Sequence, residues 1–214
     1  MFGPYFVGKG FLMKLLKKQY CDRMIVIGTG DLIRKAMKEP SFESEFGPMV
    51  ARRELIPDDV VFHLVLNELS HLPPSVDIVG FDGIGRNAQQ IEWMKEHQLL
   101  GDNSVSLLLN ATEKILRRRQ QDRIKRQPDG KRPDDDVDLQ TALGIYKQNA
   151  EHVHSRLLQT NSRIYPINAS RDIEHEVFPD VLAFVQNLVN PKQHHPACHA
   201  PQTVFTGTEP VYVR

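Results

Sequence analysis

The chain has 214 residues, of which 27 are basic and 27 acidic, so its formal charge is zero and no global field recruits nucleic acid or a membrane surface. That length suits one full-sized domain, and no apolar run approaches the ~18 residues of a membrane-spanning helix. Two cysteines, Cys21 and Cys198, lie far apart without metal-type spacing, which fits a reducing compartment better than a disulfide framework.

Gly3, four further residues and then Gly8-Lys9-Gly10 make a G-x-x-x-x-G-K loop with only Met1 and Phe2 ahead of it. Such a loop cradles phosphates on backbone N–H groups and sets a lysine on the outer ones. The generic pattern breaks at Gly10, where Ser or Thr would hold magnesium, and read alone the segment is equally well a chance glycine turn. The strand that ordinarily delivers the chain into this loop has almost no residues here. Phe11 to Tyr20 has apolar residues at helical spacing and a basic last turn, so it reads as the helix the loop opens.

Met24-Ile25-Val26-Ile27 is a continuous apolar run closed by Gly28-Thr29-Gly30-Asp31, the pattern of a buried parallel strand giving way to a turn and a helix. Pro57-Asp58-Asp59 caps a helix over Val60 to Leu69. Val76 to Asp82, Ser104 to Leu109 and Ser162 to Ile167 read as three more buried strands. Strands alternating with helical patterns predict an α/β fold, a parallel sheet flanked by helices, with ligands at the carboxyl ends of the strands.

From Lys114 to Arg132 nine residues are Lys or Arg, and Asp134-Asp135-Asp136 follow, which suggests a polar excursion from the core. As a nucleic-acid strip this stretch is poor, because no aromatic residue interleaves the cations to stack on bases. A phosphate clamp or a solvated helix face fits it better. The tail beyond Asn190 carries His194, His195, Cys198 and His199; soft ligands so close together can hold a metal, but a loose tail outside the fold accounts for them more simply.

At the end of the second strand, Asp82-Gly83-Ile84-Gly85-Arg86 pairs a carboxylate able to organise metal-bound water with an arginine able to reach phosphate. Standing alone, this is a strand-to-helix turn with a surface arginine. Asp31 and Arg34, three apart on one helical face, likewise read alone as an exposed ion pair.

Taken in order, these segments resemble the adenylate kinase family of nucleoside monophosphate kinases over roughly 3–185, with a truncated amino terminus. Gly3 to Gly10 is similar to that family's phosphate loop, Gly28-Thr29-Gly30-Asp31-Leu32-Ile33-Arg34 to its Ser-Thr-Gly-Asp-x-x-Arg, and Leu55-Ile56-Pro57-Asp58 to its Leu-Val-Pro-Asp. Asp82 to Arg86 with Gln90 resembles its Asp-Gly-Phe-Pro-Arg-x-x-x-Gln. Lys114 to Arg118 and Arg132-Pro133-Asp134-Asp135 resemble the hinge and arginines of its lid, and Ile167 to Ser170 followed by Val177-Phe178 its last strand and helix.

The resemblance implies a P-loop kinase fold of three layers in one domain over 1–190, with an acceptor-binding helical insertion near 35–59, a lid near 114–137 and a flexible tail over 191–214. It implies phosphoryl transfer from magnesium-bound ATP to AMP by a cytoplasmic monomer. Lys9, with Gly3, Gly8 and Gly10, would hold the ATP phosphates, and Arg34 and Arg86 the AMP phosphate in bidentate fashion. Thr29, Ile56, Gly83 and Gln90 would line the acceptor's adenine pocket, Gln90 facing the base edge. Arg118 and Arg132 would descend on the transferring group, and Asp82 would order the magnesium hydration shell.

The chain also departs from the family. Phe11 stands in place of Thr, Phe6 in place of a loop glycine and Tyr5 in place of the loop proline. A positive φ at Phe6 would cost on the order of 1–3 kcal/mol. Gly85 replaces the proline before Arg86, and Lys114 an arginine that packs on the ATP base. Ala142, ahead of Leu143 and Tyr146, occupies the position of a second catalytic arginine, a group worth on the order of 10³-fold or more in phosphoryl transfer. These losses leave open a second expectation, a degenerate relative that grips AMP without efficient transfer.

Overall fold

The computed structural model describes residues 1–52, 54–126 and 138–188, together with the backbone of Tyr212–Val213. In chain order the elements are α1 (Lys9–Tyr20), β1 (Met24–Gly28), α2 (Thr29–Ala36), α3 (Pro40–Ala51), α4 (Asp58–Ser70), β2 (Ile78–Asp82), α5 (Ala88–Glu96), β3 (Val105–Asn110), α6 (Glu113–Arg126), α7 (Leu139–Leu158), β4 (Arg163–Asn168), α8 (Phe178–Gln186) and β5 (Tyr212–Val213). Four of the strands coincide, within two residues at either end, with the apolar runs of the sequence.

β1 and β2 run parallel, with Met24 opposite Ile78 and Gly28 opposite Asp82. β3 and β4 run parallel with Val105 opposite Arg163 and Asn110 opposite Asn168. The strands alternate strictly between two apolar clusters. Met24 and Val26 belong to a cluster that also gathers α1 and α8, Ile25 and Ile27 to a second one gathered by α4 and α5. Along β3, Val105, Leu107 and Leu109 face the first cluster and Leu108 the second. A strand covered on both faces is apolar nearly throughout, so these segments read as runs without period-2 alternation, and the buried Ser106 inside β3 is satisfied by the Ser162 hydroxyl at 2.8 Å. Helices therefore sandwich the sheet, and the α/β expectation holds.

The meagre first strand leaves a specific trace. The amino terminus of Met1 donates to the Phe81 carbonyl at 3.3 Å. Phe2 forms a single parallel bridge to Leu108, its N–H donating to Leu107 at 2.9 Å and its carbonyl accepting from Leu109 at 2.8 Å. Two residues thus join the two strand pairs at the carboxyl end of the sheet, beside the loop. Nearer the other end of β2, Tyr212–Val213 pair antiparallel with Ile78 and Val79. The tail was expected to lie outside the fold; these two residues return to the sheet, and the rest of 189–214, including His194, His195, Cys198 and His199, lies outside the described residues.

The basic stretch begins as an ordered 14-residue helix, α6, anchored by buried Leu116 and by Glu113–Arg117 at i,i+4. Of the segment expected as a lid, 127–137 lies outside the described residues. No described helix is long and apolar enough to cross a membrane.

Candidate functional site

The carboxyl ends of β1 and β2, the loop and the start of α1 surround a cleft of about 2120 Å³. A pocket for one small ligand is typically about 300–1000 Å³, so this one has room for two. The described residues to which the resemblance gives a role all line it, Gly3, Gly8, Lys9, Gly10, Thr29, Arg34, Ile56, Asp82, Gly83, Arg86, Gln90 and Arg118, whereas Lys114 does not. Arg132 lies outside the described residues.

The loop is tight because its corners are glycine. Gly8, at φ 104°, precedes α1, and a Cβ there would collide with the Ile173 side chain. Phe6 adopts φ 61°, the left-handed conformation in which a side chain is strained. Lys9 turns its ammonium back under the loop, donating to the Gly3 carbonyl at 2.8 Å and to Pro4 at 2.9 Å. Burial of that ammonium lowers its pKa to about 8; the Asp82 carboxylate works against the shift and the Arg86 guanidinium adds to it. These influences show that the groups share one electrostatic neighbourhood although they come from α1, the end of β2 and the turn after it. The Asp82 carboxylate also lies 3.5 Å from where a Cβ on Gly10 would sit.

On the opposite wall the turn from β2 into α5 is closed by side-chain hydrogen bonds. The Gln90 amide oxygen accepts from the N–H groups of Gly85 and Arg86, both at 2.8 Å, and its NH₂ donates to Asp58. Asn87 caps α5 by accepting from the Gln90 N–H at 2.8 Å and donates its own amide to Asp58 at 3.0 Å. Gln90 is buried in this arrangement, so its amide serves the turn instead of offering a free edge to a base. Arg86 donates from Nε to the Gly83 carbonyl at 2.7 Å and from Nη1 to the Tyr5 hydroxyl at 3.2 Å. Gly83 packs against buried Thr29, and buried Ile56 lines the same cleft. Arg34 is held by Asp31, three residues earlier on α2, as its spacing suggested.

The arginines of α6 divide by helical face. Arg118 is 77% exposed and reaches only Asp122, at 3.8 Å. Arg119, one residue on, turns inward and donates to the Val7 carbonyl at 2.9 Å and to Arg171 at 3.2 Å. Arg123, on the same face, sets its guanidinium 5.8 Å from the centre of the Phe6 ring. The sequence reading chose Arg118 and passed over these two. The signal was available, since Leu116, Arg119 and Arg123 follow i, i+3, i+7 spacing from the single buried position of α6. Across the cleft, Ala142 is buried on the wall and presents no charge, while Phe11 is 45% exposed at the mouth.

Among the described residues no cluster of three His, Cys, Asp or Glu side chains could hold a metal by itself. A lone carboxylate such as Asp82 suits magnesium that arrives on a substrate's phosphates, since that ion keeps several waters and takes few protein ligands.

No family model matches the chain. Curated relatives do match. The chain is 29% identical over 153 residues to an adenylate kinase of Parvibaculum lavamentivorans, a match covering 69% of this chain and 73% of that protein. An adenylate kinase of Mesomycoplasma hyopneumoniae is 32% identical over 88 residues, 41% of this chain and 40% of the relative. One of Zymomonas mobilis is 33% identical over 93 residues, 43% of this chain and 40% of the relative. The last two matches thus span less than half of the relatives' own length.

Proposed function

We propose that the chain, a divergent member of the adenylate kinase family, transfers a phosphoryl group from magnesium-bound ATP to AMP, giving two ADP, at a rate well below that of an undiverged site. The observation that supports this reading is the convergence of Lys9, Asp82 and Arg86, from three separate elements, in one cleft large enough for two nucleotides.

In this reading the amides of Gly8 and Gly10 and the Lys9 ammonium bind the ATP phosphates, Lys9 leaving the carbonyls of Gly3 and Pro4 to do so. Arg86 and Arg34 grip the AMP phosphate, and Thr29, Ile56 and Gly83 flank its base. Gln90 contributes by fixing the backbone that aims Arg86. An AMP phosphate oxygen attacks the γ-phosphorus, the bond to the β-phosphate oxygen breaks, and ADP leaves. Such a reaction needs positioning and charge neutralisation more than covalent help. Magnesium supplies part of that neutralisation, and Asp82 orients its water shell. Arg119 and Arg123 on the loop side, with Arg118 on α6 and Arg132 beyond it in sequence, complete the positive field.

A second reading draws on Ala142 and Phe11: a protein that binds AMP and has lost efficient transfer. Measuring ADP formation from ATP, AMP and Mg²⁺ by the full chain beside Lys9→Ala separates the two. The kinase reading expects turnover at least about 10²-fold above the variant. Equal rates would overturn it, and retained AMP binding would then establish the second.

A further inference from the structure

Arg86 is oddly supported for a group meant to meet a phosphate. The residue before it, Gly85, sits at φ 80° and contributes no side chain to stiffen the turn. Backbone hydrogen bonds to Gln90 fix where the Arg86 side chain starts but not where its guanidinium ends. Beyond the Gly83 carbonyl, which holds Nε, the distal end rests on Tyr5: Nη1 donates to the hydroxyl at 3.2 Å, and the guanidinium carbon lies 5.8 Å from the ring centre. Tyr5 is half-buried, and its ring lies 6.3 Å from that of Phe6, which faces Arg123.

We propose that Tyr5 is a positioning residue: its hydroxyl and ring hold the Arg86 guanidinium in the cleft, ready for the phosphate of a nucleoside monophosphate. The inference rests on the acceptor role of Arg86 given above. A tyrosine suits the task because its two χ angles leave little freedom to lose, and because a phenol accepts one arginine N–H while leaving the others for a phosphate. Tyr5 belongs to the phosphate loop itself, so the aim of Arg86 is tied to the conformation of the segment that would bind the other nucleotide.

The test is a double-mutant cycle on AMP affinity by calorimetry with the full chain: wild type, Tyr5→Phe, Arg86→Lys and both together. Phenylalanine keeps the ring and removes only the hydroxyl, so folding is preserved, which thermal unfolding checks. Tyr5→Phe is expected to weaken AMP about three- to tenfold in the wild-type background and less than about twofold beside Arg86→Lys, with Mg-ATP affinity shifted much less than AMP. Equal effects in both backgrounds, or an equal loss of ATP and AMP affinity, would overturn the proposal. Should the wild type bind no AMP, the acceptor reading fails by itself, and the positioning role is then decided without ligand. In that case the Arg86 Nη1–H protons, followed by NMR, exchange faster with solvent in Tyr5→Phe if Tyr5 holds the guanidinium and at an unchanged rate if it does not.

Discussion

The two walls of the cleft are built unequally. Around Arg86 the polar groups interlock: Gln90 satisfies two backbone N–H groups, Asp58 receives both Gln90 and Asn87, and Asn87 caps α5. Around the loop, a phenylalanine sits at φ 61°, another lies exposed at the mouth, the lysine is folded onto its own loop's carbonyls, and the buried wall position at Ala142 is neutral. A binding wall whose hydrogen bonds also close a turn is protected, because losing one partner strands buried polar groups that stability depends on. Groups needed only while a phosphoryl group moves have no such second task. In the proposed reading their loss costs rate without costing the fold, and Phe6, Phe11 and Ala142 fit that reading.

The sharpest way to break this contrast is at Gln90. Gln90→Ala leaves the N–H groups of Gly85 and Arg86 and the Asp58 carboxylate short of partners in a buried turn. About 1–3 kcal/mol of stability is expected to go. AMP affinity, in the proposed role of Arg86, falls about tenfold or more, while Mg-ATP affinity changes little. Thermal unfolding and calorimetric titration of each nucleotide read both effects. A variant that keeps its stability would show that the wall is not protected in the way argued.

The pH response probes the other wall. Lys9, with its pKa lowered to about 8 by burial, is largely charged at pH 7 and neutral by pH 9. Phosphates beside the ammonium favour its charged form, so ATP binding takes up a proton and ATP affinity falls as pH rises above about 8, by at most about tenfold per pH unit. AMP affinity, resting on arginines, stays flat over that range. The free protein moves the opposite way. Its unfolded chain, with a lysine near pKa 10.5, binds more protons than the native state between about 8 and 10.5, so this group makes the fold more stable as pH climbs through that window. Titrations in buffers of different ionisation heat measure the uptake; an ATP affinity independent of pH would place the lysine away from the phosphates.

How far the sequence carried the reading differs between the walls for the same physical reasons. Glycine, aspartate and arginine at strand ends announce a phosphate site because few residues can adopt those turns or match that charge, and Gly8, Asp82 and Arg86 all line the cleft. The strands were legible because β1 to β3 are buried on both faces and so nearly all apolar; the one buried hydroxyl inside them, Ser106, is paired with Ser162. What escaped was tertiary. In α6 nearly every exposed position is charged, so composition cannot say which arginine turns inward; the single buried Leu116 decides that, and it selects Arg119 and Arg123 over Arg118. The commitment of Gln90 to its own turn depends on Asp58, 32 residues away, and the contact of Tyr5 with Arg86 spans 81 residues. Neither leaves a local pattern.

The smallest expected effect is also the one that divides lost chemistry from lost binding. Phe11 is exposed at the mouth of the cleft, so exchanging it for threonine sacrifices little packing and returns a hydroxyl next to the loop. If magnesium and the ATP phosphates lie where the kinase reading puts them, Phe11→Thr raises turnover about threefold to tenfold, the worth of one ordinary hydrogen bond, and leaves AMP affinity alone. The gain is limited because Ala142 remains: a hydroxyl that strengthens its contact with phosphate or magnesium in the transition state raises turnover by the worth of one hydrogen bond and cannot replace a transition-state charge worth on the order of 10³-fold. A steady-state assay of ADP formation with both nucleotides saturating, set beside the ATP titration, separates the outcomes. A tighter ATP complex with no faster turnover would mean the loop still binds and transfer alone has been lost, and no change in either would remove the donor nucleotide from this end of the cleft.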